Sequence, residues 1–246
     1  MTFIDHLLFL IIAIVFPISS YFSYMALLRR VDAGEQVDRT KLYMQTAAGH
    51  WVLFGATMAL WIGADRSWQA LGFGWQTDKL FFAGVALALV VIGFLWGQAR
   101  QVSNSNAKDL ARFRQQFGRA DLLVPRNGNE LGRFYGLALT AGIVEEVLWR
   151  GFLIWYLGYF MPLWAAAVLS TVGFGVAHSY QGVANVPKIT IVGAAFTGIY
   201  LLTGSLWIPM ILHTVIDVIQ GKLGYEVVRL TNDNDIAEND AAVLET

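Results

Sequence analysis

The sequence predicts an all-α fold, a polytopic transmembrane helical bundle of about seven helices with an eighth lying at the interface. Three observations carry this expectation. Hydrophobic residues fill 56% of the 246 positions and charged residues only 14%, well under the roughly 25% charge of a soluble domain. The apolar residues fall into long runs separated by polar links, the pattern of successive spans. Nine Trp and sixteen Phe suit a surface that meets lipid and headgroups. The formal charge of −1 argues against nucleic acid as a partner, since that needs a basic footprint. The absence of Cys excludes disulfides and thiolate metal sites.

The first predicted helix is Leu7–Leu28, with Pro17 inside it as a kink and Arg29-Arg30 at its end. Met1–His6 carries Asp5 and no Lys or Arg, and the apolar run has no small-residue cleavage site, so the segment is expected to stay as a span. Helix two is Leu42–Ile62, with Ala47, Ala48, Gly55 and Ala56 suited to close contact,. His50 lies in it without an acidic neighbour in the chain, and is expected to be a hydrogen-bonded or interface histidine, not a catalytic one. Trp68 and Trp75 mark an interfacial loop,. Helix three is Leu80–Trp96, with Gly84 and Ala88 as a small-residue pair,. Between Gly97 and Asn129, Leu110, Phe113 and Phe117 recur at helical spacing among Lys108, Arg112, Arg114 and Arg119. This is the pattern of a basic amphipathic helix on anionic lipid or, equally, of a solvated helical hairpin.

Helix four is Phe134–Leu157, followed by a link at Gly158–Pro162. Helix five is Leu163–His178, helix six Ile189–Leu202 with Ala194 and Gly198 at packing spacing, and helix seven Leu206–Ile219. The last two are short for spanning, so longer ends or a thinned bilayer are expected. Residues 1–230 form a single transmembrane domain, and 231–246 an acidic, solvated and disordered tail. Most Lys and Arg lie in the loops after helices one, three and five and in the C-terminal segment, against Arg66 and Lys79 on the other side. The positive-inside rule then puts the N-terminus outside and the C-terminus in the cytoplasm.

Helix four carries Glu145, Glu146 and Arg150 in an otherwise apolar run. Each charge at the centre of a span costs roughly 2.5–3.5 kcal/mol on insertion scales, and intramembrane ionisable residues are functional by default. Glu146 and Arg150 stand four residues apart and share a face, acid first, so they pair. Glu145 is turned about 100° away, which leaves an unpaired buried carboxylate suited to general-base work. Helix five ends at His178 and helix seven carries His213 and Asp217, again four apart. Glu145, His178, His213 and Asp217 are therefore expected to line one cavity open to the cytoplasm. Carboxylate plus imidazoles activate water directly or through a metal, with nitrogen and oxygen ligands of the kind Zn²⁺ accepts. HExxH is absent, so the soluble zinc-protease helix is not present. The residues alone support an intramembrane hydrolytic or proton-handling site. A proton-coupled transporter predicts broken helices and repeated halves, and the sequence shows neither.

EEVLWR (Glu145–Arg150), FGVAH (Phe174–His178) and HTVID (His213–Asp217) match, in order, the EExxxR, FxxxH and HxxxN/D motifs. The stretch from about Phe134 to Gln220 resembles the CPBP family: type II CAAX prenyl proteases and bacteriocin-processing or immunity proteins, also called Abi. The resemblance implies an intramembrane endopeptidase of the bacterial inner membrane, its site facing the cytoplasm, acting on membrane-associated or lipidated peptides. Glu145 and His178 are then the groups that hold and activate water. His213 and residue 217 stabilise the oxyanion, with Glu146 and Arg150 supporting. The family is described both as metalloprotease and as metal-free glutamate protease, so Glu145, His178, His213 and Asp217 are also the candidate metal ligands. Asp217 stands where Asn is usual. An ionised Asp accepts but cannot donate to an oxyanion, so Asp217 is protonated, orients His213 or helps bind a metal; the departure weakens the metal-free oxyanion reading and favours the metal one. The alternative the resemblance carries is a non-catalytic membrane protein in bacteriocin immunity or partner binding.

Overall fold

A computed structural model describes residues 1–75, 77–103 and 105–244. Among these the architecture is the expected all-α helical bundle. α1 is the first long rod, Phe3–Asp32. A π-helical stretch, Ile11–Val15, interrupts it just ahead of Pro17. The proline ring, which has no N–H and crowds the preceding turn, is thus met by a widened turn. α2 is Arg39–Gly63, started by the Asp38 side chain accepting from the Lys41 N–H at 2.9 Å. α3 is Lys79–Ser103 and α4 Ala107–Gln116. α5 (Gly128–Glu146) runs straight on through a π-helical segment, Val147–Leu153, into a closing turn, Ile154–Leu157. α6 is Leu163–Ala177, α7 Val186–Thr203 and α8 Trp207–Leu244.

Most of the helices extend beyond the ranges that hydropathy draws, because polar flanks continue the backbone hydrogen bonding after the apolar run stops. The largest extension is in α8, whose backbone stays helical through the acidic segment as far as Leu244; Glu245 and Thr246 lie outside the described residues. Phe3–Asp32, Lys79–Val102 and Val183–Thr203 are each long and apolar enough to cross a membrane. Phe22, Phe82, Val90, Trp164 and Ile191 are exposed on the outside of the bundle. Large apolar side chains displayed in that way match a lipid-facing wall.

α5 is the axis of the bundle. Val144, Val147 and Phe152 are completely buried, and α2 and α8 flank it on either side. The contact with α8 is close because of Gly142: a Cβ there would lie 2.1 Å from Thr214 Oγ1 and 2.7 Å from the Thr214 backbone nitrogen. Of the small residues singled out by spacing, Gly84 does meet a neighbouring helix at Thr203, whereas Gly55 and Gly198 face open space. Their helices make close contact elsewhere, as α7 does at Gly193 against Phe174 and Arg150.

The apolar side of α4 is partly covered by protein. Leu110 is buried in a cluster with Val102 and Val227, with Phe117, Leu223 and Leu230 packed around it, while Phe113 stays exposed. α8 extends far enough past Ile219 to cover Leu110. After α4 a tight turn, Gly118–Leu123, is pinned from outside. The Tyr43 hydroxyl donates to the Leu123 carbonyl at 2.8 Å, and Arg39 Nε to that of Leu122 at 3.1 Å.

Candidate active site

Glu146 is fully buried and Arg150 is 1% exposed. Glu146 Oε1 accepts from Arg150 Nη1 at 2.9 Å. The guanidinium also donates to Thr197 Oγ1 at 3.3 Å and to the Gly193 carbonyl at 3.0 Å, both on α7. Its flat face lies 4.3 Å from the centre of the Phe174 ring. Arginine's planar fork serves several acceptors and an aromatic face together. The charged pair thereby ties α5 to α6 and α7. Arg150 sits within the π-helical segment, and such widened turns are frequent at functional sites.

Three imidazoles converge on the neighbouring carboxylate, and all three are held alike. Each has its Nδ1 2.8 Å from an oxygen: His50 from the Thr46 carbonyl, His178 from the Phe174 carbonyl, His213 from Glu146 Oε1. A carbonyl oxygen only accepts, so His50 and His178 carry their proton on Nδ1. The carboxylate of Glu146 imposes the same on His213. All three then turn Nε2 towards Glu145. His50 Nε2 is 3.0 Å from Oε1, while His178 Nε2 and His213 Nε2 are 3.7 and 4.0 Å from Oε2. Asp217 Oδ2 lies 3.6 Å from the same His213 Nε2. Phe196 stacks on the His213 ring at 4.9 Å, and Tyr180 on that of His178 at 5.9 Å.

The structure thus brings Glu145, His178, His213 and Asp217 into one cluster, and places Glu146 and Arg150 directly behind it. Two expectations need correction. Glu145 is not unpaired: Oε1 meets His50, and only Oε2 is buried without a hydrogen-bond partner. His50 is hydrogen-bonded, as expected, but it does not lack an acidic neighbour. Its acidic neighbour is across the bundle on α5, 95 residues along the chain, where spacing within one helix cannot reveal it. The usable signal was its chemistry, an ionisable side chain in the middle of a span.

α6 is short for a helix of a membrane bundle. Its 15 residues rise about 22 Å, against about 30 Å of hydrocarbon. It stops at His178, and two short turns, Ser179–Gln181 and Val183–Asn185, follow. Irregular backbone below the headgroups is tolerated where protein covers it or water reaches it. Tyr24 covers Tyr180, with ring centres 5.3 Å apart. Asp217 is the most open member of the cluster, its side chain 31% exposed.

The metal that the resemblance implies finds suitable donor types here, since imidazoles with Nδ1 engaged present Nε2 to a ligand. Among the described residues, however, no three His, Asp or Glu side chains surround a common point as metal ligands would. His50 closes directly on Glu145, and the other two imidazoles stand further off. The arrangement does not fit a bound metal, and no step below passes through one.

Residues 127–219 match the family described as Type II CAAX prenyl endopeptidase Rce1-like. The matched segment contains all three motifs and agrees with the resemblance read from them. No curated protein and no solved structure matches the chain. α1, α2 and α3, and with them His50, lie outside the matched segment.

Proposed function

We propose that this protein, matched at family level to a CAAX-type intramembrane endopeptidase, hydrolyses peptide bonds of membrane-associated or lipidated peptides with water activated by Glu145. The observation that carries the reading is Glu145 Oε2, a buried oxygen without a hydrogen-bond partner, faced by the Nε2 atoms of two histidines. Water held by Oε2 and His178 Nε2 gives one proton to Glu145 as its oxygen attacks the scissile carbonyl. His178, neutral with its proton on Nδ1, accepts the water's other hydrogen in a hydrogen bond and orients it. His213, held at Nδ1 by Glu146 with Asp217 beside Nε2, donates through Nε2–H to the oxyanion when it carries a second proton. Glu145 then returns its proton to the leaving amine, and the free carboxylate is regenerated.

In this scheme Asp217 orients and supports His213 and does not contact the oxyanion itself. Glu146 and Arg150 fix the imidazole from behind. The surroundings are apolar and partly closed, so these hydrogen bonds act in a medium that weakens them little. The positive-inside asymmetry supports a site facing the cytoplasm with the N-terminus outside, and the family resemblance supports a bacterial cell membrane.

The test is incubation of detergent-purified protein with prenylated and unmodified membrane peptides, with products read by mass spectrometry. Cleavage is expected in wild type with or without chelator. Glu145→Gln is expected to lower kcat by about 10²–10⁴-fold while leaving the thermal unfolding midpoint in place. A wild-type protein that cleaves nothing while retaining its biological effect points to the immunity or partner-binding reading.

A further inference from the structure

We propose that His50 is a positioning residue for Glu145: it engages Oε1 through a shared proton and so leaves Oε2 as the oxygen that meets water. The inference rests on Glu145 acting as the base. It starts from hydrogen-bond bookkeeping at one ring. Nδ1 of His50 lies 2.8 Å from the Thr46 carbonyl, which only accepts,. A neutral imidazole arranged in this way has a bare Nε2. Yet Nε2 lies 3.0 Å from a carboxylate oxygen. Two acceptors do not close to that distance without a hydrogen between them, so the pair holds one proton more than a neutral imidazole and a free carboxylate do.

That proton makes the two oxygens of Glu145 inequivalent. Oε1 is occupied, and Oε2 is free and aimed between His178 and His213. The ring is itself held in place. Phe16 of α1 meets it edge-on at 5.4 Å, and α2 is fastened to α5 one residue along, where Trp51 Nε1 donates to Thr140 Oγ1 at 3.1 Å. His50 folds onto the carbonyl four residues back in its own helix, as His178 does. The two histidines thus address opposite oxygens of one carboxylate by the same device, one from inside the matched segment and one from outside it.

The experiment compares wild type, His50→Ala, His50→Gln and Glu145→Ala in detergent. It measures kcat and KM separately, the unfolding midpoint, and the imidazole ¹H–¹⁵N spectrum of histidine-labelled protein. His50→Ala is expected to lower kcat by about 10–100-fold with little change in KM, the range for residues that orient a reacting group. His50→Gln, whose amide still donates to Oε1, is expected to recover most of that loss. The proton shared at His50 Nε2 is expected in wild type and absent in Glu145→Ala. A His50→Ala enzyme with wild-type kcat, or a Gln variant as impaired as Ala at an unchanged unfolding midpoint, overturns the proposal. So does an Nε2 signal indifferent to loss of Glu145. Because the spectrum needs no turnover, it reads the pairing even if wild type proves not to be a peptidase.

Discussion

His213 Nδ1 donates to Glu146 Oε1 over 2.8 Å, and Arg150 Nη1 reaches the same oxygen at 2.9 Å. One buried carboxylate oxygen therefore ties α8 to α5 and fixes the direction in which the His213 ring points. Arg150→Leu leaves Glu146 charged and without its cation. Removing one partner of such a pair costs about 3–5 kcal/mol, and a lower unfolding midpoint in detergent is expected. Adding Glu146→Gln to Arg150→Leu is expected to regain part of that loss, because the uncompensated charge is gone. A double-mutant cycle on the unfolding midpoint checks this.

Asp217 sits 3.6 Å from His213 Nε2 and is the exposed member of the cluster. Asparagine at this position keeps a polar partner for the ring and adds a donor. Asp217→Asn is expected to keep kcat within about tenfold of wild type, whereas Asp217→Ala, which offers the ring nothing, falls further. The metal content of both variants, measured by elemental analysis, is expected to equal that of wild type.

Gly142→Ala places a Cβ 2.1 Å from Thr214 Oγ1 and 3.0 Å from the Met210 carbonyl. Part of the obstacle is backbone, so α8 itself must yield. Overpacking of this kind costs about 1–3 kcal/mol. Since His213 precedes Thr214, the same displacement carries its ring away from Glu146. The variant is expected to lose both stability and kcat, measurable as a lower unfolding midpoint and slower cleavage.

At the far end of α1, Asp5 is completely buried and takes both arms of Arg66 at 2.7 Å. The guanidinium lies over Trp155 at 4.6 Å and Trp61 at 5.4 Å. Asp5→Ala is expected to cost about 3–5 kcal/mol through the stranded cation. The clamp sits about 16 Å along α1 from Phe16, the residue against His50. Folded Asp5→Ala protein is therefore expected to retain wild-type kcat, and paired thermal and kinetic measurements distinguish the two effects.

The helices were legible because lipid imposes a long apolar period, and the three motifs put Glu145, His178, His213 and Asp217 on helices that do meet. Helix ends were less legible: Arg39, Ser103 and Gly128 belong to helices whose apolar runs start later or stop earlier. Hydropathy marks the hydrocarbon, not the hydrogen-bonded backbone. The pairing of Glu145 was missed for a different reason. Local spacing reports contacts within one helix, and His50 reaches this carboxylate from a helix 95 residues away. His213 likewise completes the Glu146 pair from 67 residues away.

The π-helical segment Val147–Leu153 fits one more residue per turn than its neighbours do. Deleting a single residue at 151–153 leaves the EExxxR letters intact and the rod nearly as long. What is downstream of the deletion keeps nearly its present facing, because the widened turn is what absorbs the extra residue. Ile154 and Tyr156, both buried now, then stay on the inward side of the rod. What changes is Arg150, which sits in the widened turn: a sequence that preserves every motif but drops one position there presents the same guanidinium from a narrower helix.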